Sequence, residues 1–158
     1  MPAPPESMMS LDDILARARE RARQLNVPYA GAVTPAEAHA ILEQDPEGRL
    51  VDVRTRAELE WVGRPPDAVF IEWNAWPGGA RNPAFEQELL ERVPDKAAPV
   101  LFLCRSGGRS HHAALAARQL GYALAFNILE GFEGAKDSSG HRGTVGGWKV
   151  AGLPWVQG

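Results

Sequence analysis

Hydrophobic positions recur along the chain with two different spacings, which predict helices and strands in alternation. After residues 1–9, which we expect to form a flexible tail, Ser10 is placed to cap a helix over residues 10–26. The charged positions of this segment, Arg17 and Arg21 among them, are typical of a face turned to water. The apolar residues share the opposite face: they are Leu11, Ile14, Leu15, Ala18, Ala22 and Leu25.

Short apolar runs alternate with helix signals through the rest of the chain. Thr34 and Thr55 each begin a capping box, in which a threonine and a glutamate three residues later bond each other's backbone N–H groups. Asn82 precedes a further helix, and Gly121 ends the helix after the third apolar run. Strands alternating with helices predict a mainly parallel sheet with helices on both faces. The strand-like runs are Leu50–Val53, Ala68–Ile71, Pro99–Leu103 and Ala123–Ile128.

Composition narrows the class of protein. A chain of 158 residues with no internal boundary predicts a single domain over residues 10–158. The net charge is −3 and the basic residues are spread out, so we expect no nucleic-acid partner. No stretch approaches the roughly 20 apolar residues of a membrane span, and a secretory signal is not evident, so we expect a cytoplasmic protein without a membrane partner. The lone Cys104 excludes an internal disulfide and a multi-cysteine zinc site, and we expect no metal or cofactor.

The third apolar run leads directly into a glycine-containing loop and then a helix. Successive N–H groups in such a loop can point inward as an anion nest, and the helix start adds the positive end of its dipole. The two glycines allow positive φ and leave the mouth of the loop free of side chains. With two arginines nearby, these features are expected to favour the thiolate, although a buried structural thiol is the alternative. The loop consists of Cys104, Arg105, Ser106, Gly107, Gly108, Arg109 and Ser110.

This loop resembles the active-site loop of the rhodanese homology domain, a CRSGxRS-type motif. The segment Leu50–Thr55, followed by Glu58, is similar to the family's first hallmark, and Gly131–Phe132 with Gly147–Lys149 resembles its closing one. The resemblance covers about residues 34–155 and implies a rhodanese-like α/β fold with a central, mainly parallel five-stranded sheet. The family usually has a Gly-His-Ile-Pro-Gly-Ala run after the first hallmark, and the corresponding residues 63–68 of this chain contain no histidine.

The resemblance implies a sulfurtransferase that needs no cofactor. Cys104 would accept a sulfane sulfur from a small anionic donor such as thiosulfate or from a persulfide. The N–H groups of Arg105–Ser110 would cradle that sulfur, and Arg105 with Arg109 would bind the donor's sulfonate. A thiol, a protein thiol included, or cyanide would then take the sulfur.

Supporting roles are implied for three residues outside the loop. Glu58 is expected to pair with Arg109 and so hold the shape of a loop whose N–H groups converge. Asp52 and Arg54 lie at the carboxyl end of a strand, where parallel sheets place their sites. They either tie the strand end to neighbouring loops or contact the substrate.

Other functions stay open on the same residues. One is a cysteine-dependent phosphatase or arsenate reductase, and another is a non-catalytic binding module, whose usual sign is loss of the cysteine. The loop from Cys104 to Arg109 has six residues, one fewer than the related phosphatase branch, and a phosphoryl group needs a wider cradle than one sulfur. Loop length therefore favours sulfur.

Two further features carry weaker signals. The polar, glycine-rich insertion at residues 135–147 is either a plain surface loop or a lid from which His141 or Arg142 reaches an acceptor over Cys104. The five tryptophans form either a stacking surface or anchors of the core and loops, and their lack of regular spacing favours anchoring.

Overall fold

The computed structural model describes residues 9–157, so the tail predicted for residues 1–9 lies outside it apart from Met9. The assignment of residues 10–158 to one domain stays a prediction. Within the described part, no helix has both the length and the hydropathy to cross a bilayer. The elements in chain order are α1 (Leu11–Leu25), β1 (Gly31–Val33), α2 (Pro35–Gln44), β2 (Arg49–Asp52), α3 (Arg56–Trp61), β3 (Val69–Phe70), α4 (Phe85–Arg92), β4 (Val100–Leu103), α5 (Gly108–Gln119) and β5 (Ala125–Ile128).

The strands form one parallel sheet in the order β1-β5-β4-β2-β3, which confirms the predicted five-stranded α/β fold. In this order β4 is central, with Val51 of β2 opposite Phe102 and Phe126 of β5 opposite Leu101. The strand β1 has no counterpart among the apolar runs picked from the sequence. Its three residues, Gly31 to Val33, are too few to show a period, and they become a strand by pairing with β5.

Both faces of the sheet are covered, because the side chains of the central strand alternate between them. Val100 and Phe102 join a cluster with α4 and α5, whereas Leu101 and Leu103 join one with α1 and α2. The central strand β4 is thus buried on both sides, which explains why it reads as a continuous apolar run.

The charge pattern predicted that the arginines of α1 face water. Two of them, Arg17 and Arg21, instead make hydrogen bonds to another helix. Arg21 donates to both carboxylate oxygens of Glu37 at 2.6 and 3.1 Å and to the Ala32 carbonyl at 2.7 Å, and Arg17 adds a bond of 3.2 Å. Glu37 itself is only 1% exposed. Burial raises the pKa of Glu37, but the bonds from Arg21, Thr34 and Arg17 outweigh it and lower that pKa. Two arginines therefore fasten α1 to α2 and β1.

Local capping signals are mostly realised as the sequence indicates. Thr34 and Thr55 both form complete capping boxes at the starts of α2 and α3. The helix expected directly after Asn82 begins instead at Phe85, with no side-chain cap. The Asn82 oxygen accepts from the Ala84 N–H, while its amide nitrogen donates to a carbonyl and a carboxylate of neighbouring segments. These other bonds hold Asn82 in a turn ahead of the helix.

Candidate active site

The end of the central strand positions the cysteine loop. After Leu103 the chain turns, and α5 begins at Gly108 with Gly107 as its cap at φ +107°. Behind the turn, the Phe132 N–H donates to the Cys104 carbonyl at 2.8 Å. The loop therefore lies between the carboxyl edge of the sheet and the segment that follows β5.

Gly131 explains why that following segment contains a glycine. Its φ is +64°, and a Cβ there would lie 2.5 Å from the carbonyl oxygen of Cys104 and from the carbonyl carbon of Arg105. No side chain fits so close to backbone atoms. The segment that resembles the family's closing motif thus packs directly against the backbone of the cysteine loop.

The sulfur of Cys104 lies inside the turn. It accepts a hydrogen bond from the Gly107 N–H at 3.0 Å and lies 3.3 Å from the Ser110 hydroxyl. Cys104 is only 1% exposed, so the open mouth expected from the glycines does not place the sulfur at the surface. The outer side of the turn is open at Gly108, where a Cβ would meet no atom within 4 Å.

Asn127 in β5 is a site residue that sequence reasoning missed. Its oxygen accepts from the Ser110 hydroxyl at 2.5 Å, and its nitrogen donates to the Gly107 carbonyl at 3.2 Å. Asn127 therefore bonds to both residues that contact the Cys104 sulfur, through the Ser110 hydroxyl and the Gly107 carbonyl. One signal could have found it, since it is the polar residue within the otherwise apolar run of β5.

Glu58 anchors the loop from outside through Arg109. Two bonds of 2.7 and 2.9 Å join the Arg109 guanidinium to the Glu58 carboxylate, and the two side chains are 22% and 19% exposed. Burial raises the pKa of Glu58, but Arg109 and Thr55 outweigh it and bring that pKa down to about 2. Burial lowers the pKa of Arg109, but the hydrogen bonds and the charge of Glu58 outweigh it and raise that pKa.

Asp52 and Arg54 form a pair that is fully enclosed. Both are 0% exposed, and the Arg54 side chain donates to both Asp52 oxygens and to the Gly63 carbonyl at 2.8 Å. The Arg54 guanidinium also lies 4.2 Å from the centre of the Phe132 ring. These contacts favour the tying role over substrate contact, because no surface of either side chain is left for a ligand.

The insertion at 135–147 closes on itself. Asp137 accepts from the backbone of Ser139 and His141 and from the Thr144 hydroxyl, and Arg142 donates to the Gly134 carbonyl at 2.8 Å. Neither His141 nor Arg142 lines the cavity beside the cysteine loop. These contacts favour a surface loop over a lid.

The tryptophans divide into two kinds. Trp148 is buried, as core anchoring predicts, but Trp61 and Trp76 are 67% and 61% exposed. These two residues are therefore not core anchors, and loop anchoring, the other part of the prediction, stays a prediction for them. Both lie on the same side of the molecule as Arg105 and Arg109, around one cavity.

Fold and site together define a class. A parallel sheet places the chain's one cysteine in a short turn at the start of a helix, and an ion pair ties that turn down. Such a protein carries a cysteine at a helix start on an α/β scaffold. Residues 34–138 match the rhodanese-like domain model, and the chain belongs to that family.

Known proteins similar to this chain share most of its length. The solved structure of Rv0390 from M. tuberculosis is 45% identical, with 83% of this chain and 100% of that one covered and a TM-score of 0.77. The uncharacterized protein RC0915 of Rickettsia conorii is 36% identical over 129 residues, which are 78% of this chain and 94% of its own. The polysulfide-sulfur transferase homodimer of Wolinella succinogenes is 20% identical, with 94% and 85% covered and a TM-score of 0.57, a likeness of fold alone.

Proposed function

We propose that this protein is a sulfurtransferase that moves a sulfane sulfur from thiosulfate or a persulfide donor to a thiophilic acceptor through a Cys104 persulfide. The observation that carries the proposal is the position of the Cys104 sulfur, 3.0 Å from the Gly107 N–H at the first turn of α5. Negative charge on sulfur is stabilised there by an N–H group and by the helix dipole. A cytoplasmic setting, where thiols stay reduced, suits a lone reactive cysteine.

The loop offers the charges that such a donor needs. Arg109 is held by Glu58 through both terminal nitrogens, so its charge is fixed in place beside the loop. Arg105 is exposed, and its side chain has no hydrogen-bond or ion-pair partner among residues 9–157. Arg105 is therefore the guanidinium that remains available for a sulfonate, whereas Arg109 is paired with Glu58.

The reaction consists of two displacements at sulfur, in which Cys104 is the nucleophile in the first and the leaving group in the second. The Cys104 thiolate attacks the outer sulfur of thiosulfate, a new S–S bond forms, and the S–S bond within thiosulfate breaks as sulfite leaves with the electron pair. An acceptor thiolate or cyanide then attacks the outer sulfur of the persulfide. The bond to Cys104 breaks and its electron pair restores the thiolate. The turn must open enough to admit the donor, because Cys104 is nearly enclosed.

Intact-mass measurement tests the proposal directly. After incubation with thiosulfate, we expect the protein to gain the mass of one sulfur atom and to lose it again on addition of cyanide. Cys104→Ser, which keeps the shape of the site, should show no gain. Absence of any gain with thiosulfate and with polysulfide would overturn the proposal, and steady hydrolysis of a phosphate ester would replace it with the phosphatase alternative.

A further inference from the structure

The Ser110 hydroxyl lies between two groups that compete for its proton. Its oxygen is 3.3 Å from the Cys104 sulfur and 2.5 Å from the side-chain oxygen of Asn127. All three side chains are buried, and buried polar groups require hydrogen-bond partners. Because a serine hydroxyl has a single proton to donate, the direction of that proton decides how the sulfur is stabilised.

The orientation of the Asn127 amide follows from the Gly107 carbonyl. That carbonyl can only accept, and it lies 3.2 Å from one end of the amide, which must therefore be the NH₂ group. The other end, which faces Ser110, is then the carbonyl oxygen, and it too can only accept. The Ser110 hydroxyl consequently donates its proton to Asn127 and not to the sulfur.

This direction of the proton suits a sulfur without charge. A thiol at Cys104 can donate its own proton to the Ser110 oxygen, and the inner sulfur of a persulfide needs no donor. A thiolate keeps the bond from the Gly107 N–H at 3.0 Å, but it gains the Ser110 hydroxyl only when the bond to Asn127 breaks. Within residues 9–157 no other group donates to the Asn127 oxygen, so breaking that bond leaves a buried acceptor unpaired.

We propose that Asn127 is a positioning residue that holds the Ser110 proton away from Cys104, and that it thereby favours the sulfur-loaded protein over the free thiolate. This inference rests on the proposed sulfur transfer. During discharge the acceptor attacks the outer sulfur, the S–S bond to Cys104 breaks, and its electron pair goes to the Cys104 sulfur. That charge develops beside a hydroxyl bonded to Asn127, so discharge is slowed and the loaded sulfur is kept longer.

Alkylation with iodoacetamide tests the direction of the proton without any sulfur transfer. The Cys104 thiolate displaces iodide, and intact mass follows one product because the chain has one cysteine. The rate is measured from about pH 5 to pH 10, across the ordinary range of a thiol. Asn127→Leu frees the Ser110 hydroxyl for the sulfur, and we expect the midpoint of the pH-rate profile to fall by about one unit. That shift corresponds to a roughly tenfold stabilisation of the thiolate by one hydrogen bond.

A second substitution separates this effect from a loosened loop. Loosening would raise the plateau rate, whereas a freed hydroxyl moves the midpoint. Ser110→Ala alone should shift the midpoint by less than about half a unit, but combined with Asn127→Leu it should reverse the shift of about one unit. Ser139→Ala is the matched control, since this exposed serine lies in the insertion, and it should leave the profile unchanged. The charge of Arg109 acts on Cys104 in every variant alike.

Discharge of the persulfide tests the consequence for sulfur transfer. The persulfide is formed with thiosulfate on the full chain and verified by intact mass, and its loss to cyanide is then timed. We expect Asn127→Leu to discharge roughly threefold to tenfold faster than the unaltered protein, because the freed hydroxyl stabilises the leaving thiolate. Adding Ser110→Ala to Asn127→Leu should remove this gain.

The two proposals fail in distinguishable ways. If no persulfide forms with thiosulfate, the sulfurtransferase proposal is wrong, and the alkylation profile still tests the direction of the proton. If the persulfide forms but Asn127→Leu discharges it no faster, sulfur transfer stands and the role of Asn127 is overturned. A midpoint that rises by about one unit in Ser110→Ala alone would also overturn it, because the hydroxyl would then already donate to the sulfur. That variant keeps Asn127, so this result is obtained even if Asn127→Leu does not fold.

Discussion

Replacing Glu58 with glutamine perturbs the anchor of the cysteine loop with little change of shape. The carboxylate accepts two bonds from Arg109 and one from the Thr55 backbone N–H at 3.1 Å. A glutamine side chain can accept at one position but presents an NH₂ group at the other, facing a guanidinium that can only donate. Glu58→Gln thus leaves a half-buried Arg109 charge without its counter-ion.

The magnitude follows from the pKa of Glu58. Folding lowers it from 4.5 to about 2, which corresponds to roughly 3 kcal/mol at about 1.36 kcal/mol for each pKa unit. Because the side chain is 19% exposed, some screening by water remains. We therefore expect Glu58→Gln to lower the free energy of unfolding by about 2–3 kcal/mol at pH 7.

The dependence on pH gives the sharper test. A carboxyl whose pKa is lowered in the folded state stabilises fully above its unfolded pKa of 4.5, and this contribution fades as pH falls toward 2. Urea titrations of both proteins at several pH values between 7 and 2 should show their stability difference shrinking across that window. Glu20→Gln, which removes an exposed ion pair with Arg23, should change little at any pH. A difference for Glu58→Gln that is constant from pH 7 to pH 2 would refute the reasoning.

Three further substitutions probe other supports of the site. Gly131→Ala would drive a Cβ into backbone at 2.5 Å, so we expect a loss of about 3 kcal/mol or more in urea unfolding, whereas Gly140→Ala, at φ +80° with open space, should cost only about 1–2 kcal/mol. Asp52→Asn strands the enclosed charge of Arg54 and should cost about 3–5 kcal/mol in the same assay, and a cost below 1 kcal/mol would contradict the pairing. Glu37→Gln should destabilise by about 2–4 kcal/mol and speed hydrogen exchange in α1, and unchanged exchange there would mean that the arginine contacts contribute little.

Much of the scaffold could be predicted because its signals are short-range. The capping boxes of Thr34 and Thr55 depend on a glutamate three residues away, and the structure contains both. The run of β4 indicates a strand covered on both faces, and it is the centre of the sheet. By contrast, β1 exists only because Gly31 to Val33 pair with a strand far along the chain.

The features of the site likewise differ in whether neighbouring residues in the sequence could predict them. The turn around Cys104 could be predicted from seven consecutive residues, because its glycines and the start of a helix set the local backbone conformation. The pairing of Glu58 with Arg109 joins residues 51 positions apart, and spacing alone could not reveal it; the resemblance to a family suggested it. Asn127 is marked in the sequence only as a polar residue in an apolar run, and the edge-to-face contact of Trp61 with Trp76 has no sequence signal.

By itself, the sequence determined the alternation of strands and helices, most of their caps and the turn that carries Cys104 between β4 and α5. These features depend on φ preferences and on neighbours within one helical turn, which are fixed by adjacent residues. Tertiary structure alone decided which arginine is neutralised and which stays available, and how two distant tryptophans come to line one cavity. Those outcomes depend on distances between segments, which only the packing of the sheet and its helices sets.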